Sequence, residues 1–555
     1  MGFVQNCSEC CRVGAVLSLV EGLSKVSPRM MSNKLSRTLA YLAVAWIVCC
    51  LGACARTPMV VRLKDQIAID RHNVDYPAGF ELKLVARNFT TPVAIGFHGK
   101  DILIAEEGLG DEEPRISILH PNATLTQFYP FNQRIPFSPV QIGFEMYGPI
   151  GGMVVDGDKV YVSHRDEDGY GVISELGFDG SHHTVVAGLP AQGDYGVTDL
   201  AINRDRDGNA RLYFGIGSAT NSGIVGLDNM RWLRGHRGVC DQSAGDLELL
   251  GLRYLTKNPF ASLFSPTGET ADTGPYQPFG KSDITHIRKA ATGKPNSAVC
   301  SVALSGGDFQ VEAWAIHNPC GLVFLPRYSA LYVTNQGMEL RGSRPVKDDP
   351  DALLRVYFGG PPTWYGNPDY SSDMQPINKP KFQEPAAFPP NNVPKVGNLI
   401  DHEASDLREP NRGLLKATFP ALSGAAKMAY APAAGPLANR FRNDLFVALS
   451  GDRAPFATGG FPLVRPVGYK VVRVDDNGKV DDFIYNVDML PASKIHRRGF
   501  VGLERPIDVK IGPDGTLYVL DMGEVEYKSD GRQVVPHGTG KLFKLAPATS
   551  ATTRP

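Results

Sequence analysis

The chain has no surplus of basic charge: 57 Lys plus Arg stand against 58 Asp plus Glu, for a formal net charge of -1. Without a basic excess or stripe, a nucleic-acid backbone is not an expected partner. Cysteine is scarce, with nine among 555 residues, too few for a disulfide-scaffolded protein. Cys7, Cys10 and Cys11 form one run, but it lacks the His of a haem-attachment motif and the second ligand pair of a zinc site. No Gly-x-Ser-x-Gly elbow, Walker loop or Rossmann glycine fingerprint occurs, and His402-Glu403 has no second His to complete a zinc motif. The apolar run Leu39 to Leu51 is too short to be a dependable membrane span.

That run has a different reading. Met31 is followed by basic Lys34 and Arg37, then by the apolar stretch, then by Leu51-Gly52-Ala53-Cys54, which has the form of a bacterial lipobox. Residues 31-53 are expected to be a lipoprotein signal peptide, with lipidation at Cys54 giving a membrane anchor without a transmembrane helix. Residues 1-30 are expected to be an upstream extension outside the gene product, and 54-79 an N-terminal linker. Cleavage after Ala53 as an ordinary signal is the alternative. In an exported protein, Cys240 and Cys300, which bracket a long insertion, are expected to form a disulfide, with Cys320 a buried free thiol.

Glycine (59) and proline (42) are plentiful but follow no short period, which suits a turn-rich all-β chain. One unit recurs: a polar or Pro-containing opening, an apolar run, a turn, a second apolar run and a polar exit. It is clearest at His317-Asn318-Pro319, Leu322-Val323-Phe324, Leu331-Tyr332-Val333 and Thr334 to Gly337. Openings of the same kind stand at Thr91-Pro92, Gly148-Pro149, Asp194-Tyr195, Ser423-Gly424 and Glu504-Arg505. Six hairpins at domain-scale spacing predict an all-β, six-bladed β-propeller over residues 80-546, with long inter-strand insertions. A β-sandwich is the competing architecture. Phe80 to Leu84 alternates as a half-solvated strand and is expected to pair with Lys541 to Leu545, closing the ring. Residues 547-555 are expected to be a disordered tail.

In a hairpin, the start of the first strand and the end of the second lie at the same end. The face so defined should collect Glu106, Glu107, His164, Arg165, Asp194, Tyr195, His317, Asn318, Gln336, Asp452, Arg453, Arg505 and Asp521 around a central depression. The Asp205 to Asn209 and Asp475 to Gly478 loops lack a full calcium-loop pattern and read as tight turns. Residues 224-297, long and punctuated by Gly and Pro, are expected to carry specificity.

Several of these segments resemble the glucose/sorbosone dehydrogenase family, in its bacterial lipoprotein, sorbosone-type branch. The resemblance runs from about Phe80 to Ala546. It rests on Gly217 to Gly223, Ala313-Trp314 with Asn318 to Leu322, Gly337 to Pro345, Tyr365 to Tyr370, and Arg505-Pro506 with Gly512 to Gly515. It implies a propeller that oxidises an aldose or sorbosone-like sugar with pyrroloquinoline quinone (PQQ) and calcium, passing electrons to an external acceptor. Where the family has Asp-His, this chain has Asp194-Tyr195, and where the family has Arg-Asn-Pro it has His317-Asn318-Pro319.

Tyr is a poor base at neutral pH and His a good one. The resemblance therefore implies an exchange of roles: His317 takes the substrate proton beside Asp194, while Tyr195 or an Arg (Arg165 or Arg453) hydrogen-bonds the quinone. Cofactor contacts carry over to Asn318, Gln336, Lys470 and Arg505, with Arg453 added, and calcium contacts to Gln336 and Gly337. A propeller that only binds carbohydrate, and a calcium-dependent sugar lactonase using Glu106 or Glu107 with Asp452 and Asp521, are the alternatives.

Overall fold

The apolar second strand of each hairpin sets the architecture. Leu445–Leu449 is buried at all five positions, and Ala330–Gln336 at six of seven. A strand buried on both faces needs a neighbouring sheet on each side, and a ring of stacked blades supplies it. The computed structural model describes residues 61–109, 112–122, 124–130, 144–205, 207–261, 268–283, 287–384 and 396–548. The signal segment, Cys54 and residues 549–555 lie outside these.

Six antiparallel sheets form the expected six-bladed ring. The inner strands are Pro92–His98, Tyr147–Asp156, Val197–Arg204, Asn318–Leu325, Ala425–Tyr430 and Pro506–Ile511. All six begin within three residues of the polar openings named above. In blade six, Gly540–Pro547 pairs with Phe80–Phe89, so strands from both ends of the domain share one sheet.

Inner strands of adjacent blades approach closely at the axis, and this explains their small residues. A Cβ on Gly151 would sit 1.9 Å from the Val197 carbonyl, and one on Gly321 would sit 2.4 Å from that of Ala426. Buried carboxylates clasp three of the blade junctions. Asp508 accepts the Ile95 N–H (2.8 Å), Asp199 that of Leu322 (3.0 Å) and Asp351 that of Ala425 (2.8 Å). Each bond offsets the cost of burying both partners.

The segments that join the blade strands carry structure of their own. Val61–Ala68 is a fifth strand on blade six and Val74–Asp75 pairs with blade five, so this part of the supposed linker belongs to the propeller. The insertion in blade three contains a short helix, Met230–Leu233, and two ribbons, Leu247–Leu249 with Ile287–Lys289 and Tyr254–Lys257 with Thr270–Thr273. The Pro-rich stretch from 376 lies within blade four, between Pro350–Tyr357 and Leu415–Ala421.

The expected disulfide is absent. Cys240 and Cys300 are both free buried thiols. Cys300 sits mid-strand in the blade-three core, whereas Cys240 packs with Val225 and Leu233 in a separate cluster of the insertion. The Asp205 and Asp475 loops are the expected turns: each Asp accepts backbone N–H groups from its own loop.

Candidate functional site

A cavity of about 270 Å³ opens at the axis, on the face where strand openings and exits meet. It collects Glu107, His164, Arg165, Asp194, Tyr195, Asn318, Gln336, Gly337, Arg453 and Arg505, as the hairpin geometry requires. The insertion of blade three adds Asp228, Arg231 and Trp232, which the sequence did not mark individually.

Beside the cavity lies a knot of charge centred on Arg341, which is 2% exposed. Its guanidinium contacts Glu339 (2.6 Å), Asp228 (2.5 Å) and Asp194 (2.7 Å) and stacks over Phe456. Arg453 donates twice to Glu339, at 3.1 and 2.7 Å, and once to the Tyr195 hydroxyl. Burial opposes ionisation of Glu339, but the Arg453 and Arg341 guanidiniums outweigh it and hold the group at about 2. Burial, reinforced by the nearby Asp228 carboxylate and opposed by Arg341, raises Asp194 to about 7. Burial also pushes Tyr195 far above its ordinary value, so it stays protonated. Tyr195 is therefore a hydrogen-bonding wall residue with no capacity as a base near neutrality.

His317 does not line this cavity. Its Nδ1 donates to the Gln336 carbonyl (2.8 Å), and its ring meets Tyr195 edge-on at 5.2 Å. The side chain instead faces a separate enclosed space of about 10 Å³ bounded by Asn335, Asp349 and Ser372. Burial lowers His317 to about 4, so the ring is neutral, and its unbonded Nε2 is walled off from any ligand at the axis. The expectation that it takes a substrate proton there fails on position.

Lys470 is likewise elsewhere. It stands on the third strand of blade five, paired with Asp482 at 2.6 Å. Asn318 and Arg505 do line the cavity, and each has one unpartnered atom: Oδ1 and Nε. Arg505 is fixed by the Ser450 and Asp452 carbonyls at 3.1 and 2.9 Å.

The calcium expectation fits poorly. Gln336 Oε1 accepts from Asn318 (2.9 Å), and its carbonyl accepts from His317. Gly337 could offer only its carbonyl, since its N–H donates to Asp351 (2.9 Å). Among the described residues, no group of three or more His, Cys, Asp or Glu could hold a metal ion. Of the four lactonase candidates, only Glu107 reaches the cavity. Glu106 accepts from the Thr90 N–H, Asp452 from Tyr469, and Asp521 from the Glu504 and Gly523 N–H groups.

Among the described residues, Glu107 and Lys427 line the cavity without a side-chain hydrogen bond or ion pair. Glu107 makes no side-chain hydrogen bond among the described residues, and burial raises it to about 7 against the fields of Lys427 and Arg165. Lys427, on the inner strand of blade five, is 2% exposed and lines the same space. Sequence reasoning missed it because a lysine in Ala425-Ala426-Lys427-Met428 reads as an ordinary solvated strand position.

No family model and no curated protein matches the chain. Among solved structures it is similar to a Trichoderma reesei protein of carbohydrate-active enzyme family AA12, at 13% identity and TM-score 0.47, covering 87% of this chain and 100% of that one. It is also similar to the PQQ-bound aldose sugar dehydrogenase of Streptomyces coelicolor (13%, TM-score 0.42, 85% and 99%). A Xanthomonas campestris gluconolactonase is a further neighbour (11%, TM-score 0.34, 89% and 98%). At such identities the likeness is one of fold.

Proposed function

We propose that this propeller is a sugar dehydrogenase that uses PQQ, with Glu107 as the base that takes the substrate hydroxyl proton. The observation that carries the reading is Glu107 itself: a carboxyl in the axial cavity, free of hydrogen bonds and titrating near 7. A general base works best when its pKa lies near the working pH. The sequence motifs that resemble the glucose/sorbosone dehydrogenases support the redox class.

The lining suits a polycarboxylate quinone. Arg505 offers Nε, and Arg165, stacked on Trp232 at 4.7 Å, adds a second guanidinium, while the free Asn318 Oδ1 is an acceptor suited to a hydroxyl. When bound, PQQ supplies a two-electron acceptor for the hydride of the sugar C–H. The chain's own task is to orient the sugar and receive the hydroxyl proton on Glu107. A calcium ion held by Gln336 and Gly337 forms no part of the proposal. Export through residues 31-53 and anchoring at Cys54, on the signal pattern alone, and an external electron acceptor, on the resemblance alone, complete the reading.

The test is titration of the purified protein with PQQ, followed by aldoses and sorbosone while the quinone spectrum is watched. Saturable binding with substrate-dependent reduction is expected. Binding without reduction by any sugar would favour the ligand-binding reading, for which the Tyr195 position speaks.

A further inference from the structure

Lys427 has no hydrogen bond and no ion pair among the described residues, yet it is almost completely buried. A buried ammonium without a counter-charge is costly, by several kcal/mol in order of magnitude. Such a group persists where something completes it. The carboxylates whose fields reach it are not positioned to do so. Asp508 accepts the Ile95 N–H and lies 3.7 Å from Lys510. Glu107 shares the cavity with Lys427 but makes no ion pair with it. The two unpartnered groups therefore face a common space from blades one and five.

A ligand that satisfies both must present a hydroxyl to Glu107 and an anion to Lys427. The volume, about 270 Å³, suits a small molecule. Trp232, Phe456 and Tyr527 on the walls suit the apolar face of a sugar ring.

We infer that Lys427 is a carboxylate subsite and that the ligand is a sugar acid, a uronic or aldonic acid, in place of a neutral aldose. The assignment of this ligand as the substrate rests on the sugar-oxidation reading above, whereas the subsite itself does not. A charge-assisted bond to a buried ammonium is stronger than a neutral one. Loss of the anion from the ligand should weaken binding roughly tenfold or more.

The experiment is calorimetric titration of the purified protein, with no quinone and no metal added, using glucuronate, its neutral methyl ester and glucose. Glucuronate should bind roughly tenfold more tightly than either neutral ligand. Lys427→Met should erase that preference and Lys427→Arg should retain part of it. The methyl ester makes the comparison on the unaltered protein, so a misfolded variant does not decide the outcome. Equal binding of glucuronate and its ester, or binding of none of the three, overturns the inference. So does a Lys427→Met protein that keeps the preference. PQQ titrated separately distinguishes the source of the carboxylate: if Lys427→Met loses PQQ but glucuronate never bound, the subsite serves the quinone and the sugar-acid assignment is wrong. Glucuronate binding with no quinone reduction would defeat the dehydrogenase reading and leave the subsite standing.

Discussion

Arg341 holds three carboxylates with one guanidinium, and its removal is the most damaging single change the site predicts. Breaking a buried ion pair leaves an uncompensated charge and costs about 3–5 kcal/mol. Arg341→Met should lose about that much in urea unfolding at pH 8. The sign of its pH dependence follows from the groups left behind. Glu339, held at about 2, contributes stability that is present above its unfolded value near 4.5 and lost as pH falls through about 2. Asp194, raised to about 7, behaves in the opposite sense: it costs stability as pH rises through 7. Without Arg341, Asp194 and Asp228 rise further, so the deficit should be smaller at pH 5 than at pH 8. An equal loss at both would mean that Arg341 acts through packing alone.

The hairpins were legible in the sequence because each opening marks a strand start and each apolar run a blade interior. What failed was side-chain direction. Asn318 opens the inner strand and enters the cavity, whereas the ring of His317, just before the strand, bonds the Gln336 carbonyl and faces Asp349. Lys470 failed for distance, since the third strand of a blade stands two strands away from the axis. Lys427 lies on a first strand that the Ser423-Gly424 opening marks, but no local signal separates a lysine turned into the cavity from one paired within its strand, as Lys510 is with Asp508.

The blade-six sheet offers a test at this scale. A chain beginning at residue 69 loses only the outer strand Val61–Ala68 and should melt cooperatively, at a somewhat lower temperature. A chain beginning at residue 90 also loses Phe80–Phe89 and exposes the edge of Gly540–Pro547. It should aggregate, as open sheet edges do. A monomeric, cooperatively melting protein from the shorter chain would contradict the closure.

At the scale of the whole molecule, the ring brings six loops to one mouth, and that placement was readable from hairpin geometry alone. The activity was not, because a propeller hosts many chemistries and only the site distinguishes them. The site here departs from the motif family it resembles at Tyr195 and His317, and the proposed reading puts proton transfer on Glu107. The most direct measurement is the rate at which bound PQQ is reduced by saturating sugar, followed by stopped-flow from pH 5 to 9. The account predicts a rate that rises through a midpoint near 7, survives in His317→Gln, and falls roughly a hundredfold or more in Glu107→Gln. A Glu107→Gln protein that keeps the wild-type rate and the same limb, while His317→Gln loses both, would contradict it.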